Sequence, residues 1–257
     1  MAPIIASVVF FLLGFSLAAP AKNAPSSALS GNLNPACAPG GNFQLDNFSL
    51  QLPTGSKGKV DQISASQLSG CKGWQKKQFF FTGNDGALVM KVPDRSTCVT
   101  TPNSKHCRTE LRENSPRSWD PKKSINRLVS ELVVIKADDS KYGTVVGQIH
   151  VDDKVSKKPV CELFVNKQGV VTMGVEQVPN TSSLKMTKVG KIDIGKKFSY
   201  EIRYEKGKLS VGINGGAPKI LGTGSLNSPL SYFKAGNYNQ GNSPSEVHFY
   251  KINIRHS

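Results

Sequence analysis

The sequence predicts an all-β fold: a single antiparallel β-sandwich or jelly roll. From Phe43 onward the chain consists of short runs rich in β-branched and aromatic residues, such as "FSLQLP", "GALVMKVP", "GTVVGQIHV" and "VHFYKINIR", which are typical of strands. Turn-forming links, including "GNDG", "NKQG" and "EKGK", separate these runs. No long segment has helical periodicity, and the best short helix candidate lies near "DQISASQLSG". Many strands without a linker or an internal repeat favour one sandwich over a propeller or a β-helix.

The first 21 residues predict a secretory signal peptide. "MAPIIASVVFFLLGFSLAAPA" has an uncharged apolar run followed by small residues, and the run is too short and too early for a membrane span. Residues 22–42 are rich in Pro, Ser, Asn and Gly, which predicts an irregular leader. Residues 43–257 are then expected to form the single β domain. We therefore expect a secreted, extracellular protein.

Five cysteines in an exported chain predict two disulfides and one free thiol. We expect Cys98 to pair with Cys107 and Cys37 to pair with Cys71, which leaves Cys161 as a buried thiol in the strand-like run "PVCELFV". A zinc site is not expected, because the sequence has no CxxC or HxxxH spacing. The sequons at Asn47 and Asn180 are candidate glycosylation sites.

The charge of the chain indicates an anionic partner. Lys and Arg number 33 against 18 Asp and Glu, which gives a formal net charge of +15, and none of these residues precedes Lys22. Acidic polysaccharide, nucleic acid and anionic lipid are candidate partners, although a basic surface can also serve only for solubility. No nucleic-acid-binding module is recognisable, and no second long apolar segment follows the signal peptide, so neither nucleic acid nor membrane is the expected partner.

Three stretches, "RTELREN", "GTVVGQIHV" and "SYFKAGNYNQ", place polar side chains on one face of a strand and apolar side chains on the other. Half-exposed strands alternate in this way without any function. The residue types nevertheless favour a site, because many of these groups donate hydrogen bonds or move protons. The polar faces carry Arg108, Glu110, Arg112, Gln148, His150, Tyr232, Lys234 and Tyr238, and the opposite faces carry Leu111, Val145, Ile149, Val151, Phe233 and Ala235.

If the three strands are neighbours, their polar faces suit the cleavage of a uronate polymer by β-elimination. Loss of the C5 proton spreads negative charge onto the adjacent carboxylate, which Arg and Gln donors can stabilise. A base must remove that proton, and an acid must protonate the departing glycosidic oxygen at C4. A neutral His can be the base. A Tyr whose phenolate is stabilised by neighbouring Arg and Lys charges can serve as acid and as an alternative base.

The motifs "RTELRE", "QIH" and "YFKAGNYNQ", in this order, resemble the alginate lyases of polysaccharide lyase family 7. The similarity extends to "FSLQLPTG" and "FFFTGNDGALVMKVP" and covers the chain from about Phe43. The resemblance implies a β-jelly roll with a cleft on its concave sheet, alginate as substrate, no cofactor and no metal. A secreted, monomeric member of eukaryotic, fungal type is expected.

The resemblance also implies roles for individual residues. Arg108 and Gln148 would neutralise the substrate carboxylate, His150 would assist them or act as base, and Tyr238 would be the acid and the alternative base. The remaining positions would contact or organise the substrate site: Arg112 and Lys234 by gripping neighbouring uronates, and Glu110 by orienting the arginines.

Other functions remain open from the sequence. The same chemistry would serve a lyase acting on another polyuronate such as glucuronan, and the same basic cleft would serve a non-catalytic lectin for acidic polysaccharides. A glycoside hydrolase needs two carboxylates on either side of the bond, whereas Glu110 and Glu113 have opposite parity. His106, His248 and His256 lack a partnered motif and are predicted to be surface or strand residues.

Overall fold

Two antiparallel sheets form the framework of the chain that the computed structural model describes, namely Met1 and residues 33–181 and 183–257. The described residues from 33 onward belong to one compact unit. The two sheets confirm the predicted antiparallel β-sandwich of jelly-roll type. The predicted signal peptide, Met1 apart, and much of the predicted leader lie outside the described residues. Within the described part, no helix has the length and apolar character needed to cross a bilayer.

Fifteen strands follow one another along the described chain. They are β1 (Phe48–Ser56), β2 (Lys59–Ile63), β3 (Phe80–Thr82), β4 (Leu88–Val92), β5 (Arg108–Glu113), β6 (Asn126–Lys136), β7 (Thr144–Val151), β8 (Pro159–Val165), β9 (Val170–Glu176), β10 (Leu184–Lys191), β11 (Lys197–Glu205), β12 (Lys208–Ile213), β13 (Lys219–Leu221), β14 (Ser231–Tyr238) and β15 (Ser245–His256). Sheet A has the strand order β10-β9-β8-β7-β14-β5-β1-β2, and sheet B has the order β13-β12-β11-β6-β15-β4-β3.

The amino-terminal segment is fixed to the sandwich by a disulfide between Cys37 and Cys71, as predicted. A single helical turn, α1 (Pro39–Asn42), follows the first of these cysteines. The second short helix, α2 (Ala65–Leu68), lies within the predicted candidate segment. Its start is defined by a capping box in which Ser64 and Gln67 bond to each other's backbone N–H groups.

The core lies between the two sheets and follows the period-two pattern of the strands. In β11, for example, Phe198, Tyr200, Ile202 and Tyr204 are buried, while the residues between them are partly exposed. Burial of each such large side chain contributes about 2 kcal/mol of hydrophobic stabilisation. The free thiol of Cys161 is part of this core, as predicted.

Polar bonds between the sheets fix the three strands that carry the predicted site motifs. Thr109 of β5 donates to the Lys91 carbonyl of β4 over 2.6 Å, and Asn237 of β14 donates to the Met90 carbonyl over 3.1 Å. In the opposite direction, the hydroxyl of Tyr200 on β11 of sheet B donates to the Val146 carbonyl of β7 over 2.8 Å. Each motif strand is therefore anchored to sheet B from behind, which limits its sliding against its neighbours.

The buried carboxylate of Glu113 joins the end of β5 to three other segments. It accepts hydrogen bonds from the Trp119 indole N–H at 2.9 Å, the Phe233 backbone N–H at 2.8 Å and His256 Nε2 at 2.6 Å. The second ring nitrogen of His256 lies 2.8 Å from the Asn126 side-chain oxygen. Glu113 is 0% exposed, so water cannot replace these donors.

We predict that Glu113→Gln lowers the free energy of unfolding by about 3 kcal/mol, because the amide cannot accept all three buried donors. Denaturant-induced unfolding measures the change. Glu131→Gln is the matched control: it removes a pair with Lys197 in which both side chains are largely exposed, and it should cost less than about 0.5 kcal/mol. Equal effects of the two substitutions would contradict the structural role of Glu113.

Candidate active site

An open cleft of about 640 Å³ runs across the outer face of sheet A, and every strand of that sheet contributes to its lining. The three predicted motifs lie on adjacent strands, β7, β14 and β5, at its centre. In the strand register, Lys234 stands between Arg112 and Gln148, and Tyr238 stands beside Arg108. The structure thus brings all seven sequence-predicted site residues to one face.

Glu110 is the centre of the site. Its carboxylate accepts from Arg108 Nη1 at 3.0 Å and from Lys234 Nζ at 2.7 Å, and it also accepts from the Gln148 amide. These three donors come from three different strands. Glu110 is 1% exposed, so it is an organising group that binds its neighbours rather than a group that reaches into the cleft.

Burial and charge oppose each other at this centre. Burial alone would raise the pKa of Glu110, but the attraction of Lys234 and Arg108 outweighs it and lowers the pKa below its usual value. Burial lowers the pKa of Lys234 to about 8, although the Glu110 carboxylate favours the charged ammonium. The centre therefore holds one carboxylate against two cations at neutral pH and is positive overall, which suits an anionic ligand.

Tyr238 lies against Arg108, whose guanidinium carbon is 3.8 Å from the centre of the phenol ring. Its hydroxyl shares a 3.0 Å hydrogen bond with that of Ser104. Burial raises the pKa of Tyr238, and the Arg108 charge offsets only part of that effect. The Arg108 charge thus favours the phenolate, but burial outweighs it, so Tyr238 keeps its proton at neutral pH in the free protein.

His150 is neutral and held in one orientation. Its ring stacks on Tyr232 with 5.1 Å between the ring centres. Nδ1 lies 2.8 Å from the Val151 carbonyl oxygen, which can only accept, so we assign the proton to Nδ1 and a lone pair to Nε2. Burial, followed by the charge of Lys234, lowers the pKa of His150 to about 4.

Arg112 lies at one side of the centre and is itself paired. Its Nη2 is 2.7 Å from Asp153 Oδ2, and its guanidinium carbon is 4.3 Å from the centre of the Tyr232 ring. Asp153 also accepts from the Tyr232 hydroxyl at 3.3 Å. Arg112 is therefore oriented along the cleft wall by a carboxylate and an aromatic ring.

The loop closed by the predicted Cys98–Cys107 disulfide forms one wall of the cleft. It supplies Ser104, described above, and His106, whose ring lies edge-on to Tyr238 with 6.3 Å between the ring centres. His106, predicted to be a surface or strand residue, is partly exposed on the cleft wall, and His248 and His256 lie on β15. The position of this disulfide immediately before Arg108 predicts that the loop shapes the edge of the cleft.

Two further residues of the cleft were not expected there. Val145 packs against Tyr238 and Phe164 instead of pointing to the core, because the register of β7 shifts between Val145 and Gly147. Gly147 is needed at this shift, since a Cβ would lie 2.6 Å from the Tyr200 hydroxyl. Glu162 of β8 lines the cleft floor. A charged residue inside the apolar run "PVCELFV" is the signal that could have identified it.

Known proteins with similar sequences and structures are alginate lyases. The alginate lyase family profile matches residues 43–256. An alginate lyase of Klebsiella pneumoniae is 38% identical over 78 residues, which cover 30% of this chain and 24% of that protein, so the match spans about a quarter of the length of this curated relative.

Solved structures extend the similarity to most of the chain. The alginate lyase A1-II', described as a member of polysaccharide lyase family 7, superposes with a TM-score of 0.73 at 28% identity, covering 86% of this chain and 99% of that one. An alginate lyase of Pseudomonas aeruginosa superposes with a TM-score of 0.71 at 27% identity, covering 83% and 99%. A variant of A1-II' with a His→Asn and a Tyr→Phe change has been solved in complex with the substrate GGMG. It superposes with a TM-score of 0.74 at 29% identity, covering 86% of this chain and 97% of that one.

We predict that Glu110→Gln lowers the free energy of unfolding by about 4 kcal/mol, because Arg108 and Lys234 lose their shared buried carboxylate. The double variant Glu110→Gln/Lys234→Met should recover a large part of that loss, since it also removes one of the uncompensated cations. Denaturant-induced unfolding of the wild type, both single variants and the double variant measures the coupling. Additive effects of the two changes would show that Glu110 does not organise the site in this way.

Proposed function

Because this chain belongs to the alginate lyase family, we propose that it cleaves the 1,4-glycosidic bonds of alginate by β-elimination in the cleft of sheet A. The observation that carries this proposal is the placement of Arg108, Gln148, His150 and Tyr238 around one point of an overall positive cleft. The similar structures include alginate lyase complexes with the substrate GGMG and the product GGG, which support alginate as the substrate.

Arg108 and Gln148 stabilise the charge that develops on the reacting uronate. Each uses one N–H group on Glu110 and has further N–H donors for the substrate carboxylate. Because Glu110 fixes both side chains before substrate binds, little reorganisation is needed as the C5 proton leaves. Lys234 adds positive charge to the same point, and Arg112 contacts a neighbouring uronate further along the cleft.

His150 and Tyr238 divide the proton transfers. The lone pair on Nε2 of His150 takes the C5 proton, and the protonated Tyr238 gives its proton to the glycosidic oxygen at C4. The C5–H and C4–O bonds break and a C4–C5 double bond forms. One product carries an unsaturated uronate at its new non-reducing end, and the other product carries a free reducing end. The raised pKa of Tyr238 favours the acid role. The substrate carboxylate beside His150 makes the imidazole a stronger base in the complex than in the free protein.

The contacts of Glu110 argue against a glycoside hydrolase. Glu110 and Glu162 lie on the same side of sheet A, which resembles the paired carboxylates of hydrolases, but Glu110 does not reach into the cleft, is bonded to three donors and has little capacity left to act as nucleophile or base. Glu113 faces the core. A lectin would need neither the neutral imidazole nor the buried phenol. A glucuronan lyase would use the same groups, so only the substrate distinguishes it.

We further propose that the mature protein is exported and acts as a monomer on extracellular polysaccharide, with no nucleic-acid, membrane, metal or cofactor partner. The amino-terminal sequence supports export. The two disulfides are consistent with an oxidising compartment.

We predict that Tyr238→Phe lowers kcat on alginate at least about 10³-fold while leaving oligosaccharide binding largely intact, because only the transferable proton is removed. The far-ultraviolet absorbance of the unsaturated uronate follows the reaction on polymannuronate, polyguluronate and glucuronan. Tyr250→Phe is the matched control, since Tyr250 bonds to Asp85 on sheet B and should keep full activity. Reducing ends without the absorbance would indicate a hydrolase, and binding without either product would indicate a lectin.

We predict that the His150 ring titrates with a midpoint near 4 in the free protein, because burial disfavours its charged form. The neutral, active form is then fully present above about pH 5 and is lost as the pH falls through this pKa. NMR titration of the histidine rings, with the His150 signal identified by its loss in His150→Asn, measures the midpoint. A midpoint near 6.5, with kcat/KM falling below pH 7, would contradict the assignment.

A further inference from the structure

Glu162 differs from every other acidic side chain of the cleft. It lies on β8, opposite Gln148 of β7 and Gly174 of β9, and it is 8% exposed. The carboxylates of Glu110, Asp153 and Glu176 each accept hydrogen bonds, from Lys234, Tyr232 and Thr181 among others. Within residues 33–181 and 183–257, Glu162 has no hydrogen bond and no ion pair. Its carboxyl group is therefore buried at the floor of the cleft without a protein partner.

An ionised group at this position would oppose the binding of a polyanion. The charged groups around it are Arg108 and Glu110 on β5, Lys234 on β14 and Glu176 on β9, and the phenol of Tyr238 is also near. Burial, followed by repulsion from Glu110, raises the pKa of Glu162 to about 7 against the attraction of the two cations. A bound uronate adds another negative charge, which favours the protonated carboxyl further.

We propose that Glu162 is a substrate-binding residue that acts as a carboxylic acid and donates its proton in a hydrogen bond to a uronate carboxylate. Neighbouring strands lie about 4.8 Å apart, so a chain crossing the sheet presents to Glu162 a group next to the one that Gln148 contacts. The shared proton removes the repulsion between the two carboxyl groups. This inference rests on the proposed function, and it makes alginate binding depend on the uptake of a proton.

Alginate binding is expected to weaken as the pH rises through the pKa of Glu162. Below the pKa of Glu162 the donor is already present and binding needs no further proton. Above that pKa the side chain must regain a proton, so the Kd for alginate rises towards tenfold per pH unit. Between pH 7 and pH 8, a pKa of about 7 corresponds to a weakening of about fivefold. Lys234, whose pKa is about 8, also loses charge as the pH rises, and this loss weakens alginate binding further. The contribution of Lys234 remains when Glu162 is replaced by a residue that does not titrate.

Calorimetric titration of the Tyr238→Phe variant with an alginate tetrasaccharide tests the inference without turnover. Repeating the titration at pH 7 in two buffers of different ionisation enthalpy measures the protons taken up, and we expect about half a proton per chain. In the same background, Glu162→Gln should take up none and should lose the roughly fivefold weakening between pH 7 and pH 8. In the active enzyme, Glu162→Gln should also reduce the rise of KM between pH 7 and pH 8.

Glu176→Gln in the Tyr238→Phe background is the matched control, because Glu176 is also a buried cleft carboxyl but already accepts from Thr181. It should retain the proton uptake. If the Tyr238→Phe variant binds the tetrasaccharide without taking up protons, the role of Glu162 is overturned and the proposed function is left intact. The same holds if adding Glu162→Gln does not reduce the proton uptake. Failure of the folded parent to bind any alginate oligosaccharide would overturn both.

Discussion

The site depends on one buried carboxylate, that of Glu110. It is the common acceptor for Arg108 on its own strand, Lys234 on β14 and Gln148 on β7, so a single group sets the relative positions of side chains from three strands. In a low-dielectric environment the two cations would repel each other and lose stability without it. The same centre keeps a net positive charge at the point where the carboxylate of the proposed uronate substrate would bind. Organisation of the site and attraction of the substrate thus have one origin.

The arrangement works only if the three strands keep their register, and sheet B provides that constraint. Hydrogen bonds from Thr109 and Asn237 to β4, and from Tyr200 to β7, anchor each motif strand from the core side. Tyr200 leaves no room for a side chain at Gly147, where β7 changes register and Val145 comes to lie beside the ring of Tyr238. Packing in the core therefore determines which side chains surround the acid.

Burial sets the protonation states of three side chains in the cleft. His150 is neutral because it is buried beside a cation, Tyr238 retains its proton because it is buried, and Glu162 titrates near neutrality because it is buried beside another carboxylate. Desolvation is the first cause in each case, although it favours deprotonation of the imidazole and protonation of the phenol and the carboxyl. The resting cleft thus contains a base without its proton, His150, and an acid with its proton, Tyr238, which is the state that the proposed elimination requires at its start.

The sequence by itself determined the fold class and the shared face of the seven predicted site residues, because strand parity and turn chemistry are local properties of the chain, and it predicted the pairing of both disulfides. It also gave the order of the three motifs, from which the family could be recognised. Only the tertiary structure decided that β5, β14 and β7 are neighbours, since this strand order depends on contacts between residues 80 to 130 positions apart. The register shift at Gly147, the cleft positions of Ser104 and His106 and the unpartnered state of Glu162 likewise arise from packing between strands and loops. The direction of the Tyr238 pKa could not be read from its charged neighbours in sequence, because desolvation is a property of the folded site and here exceeds the effect of the nearby cation.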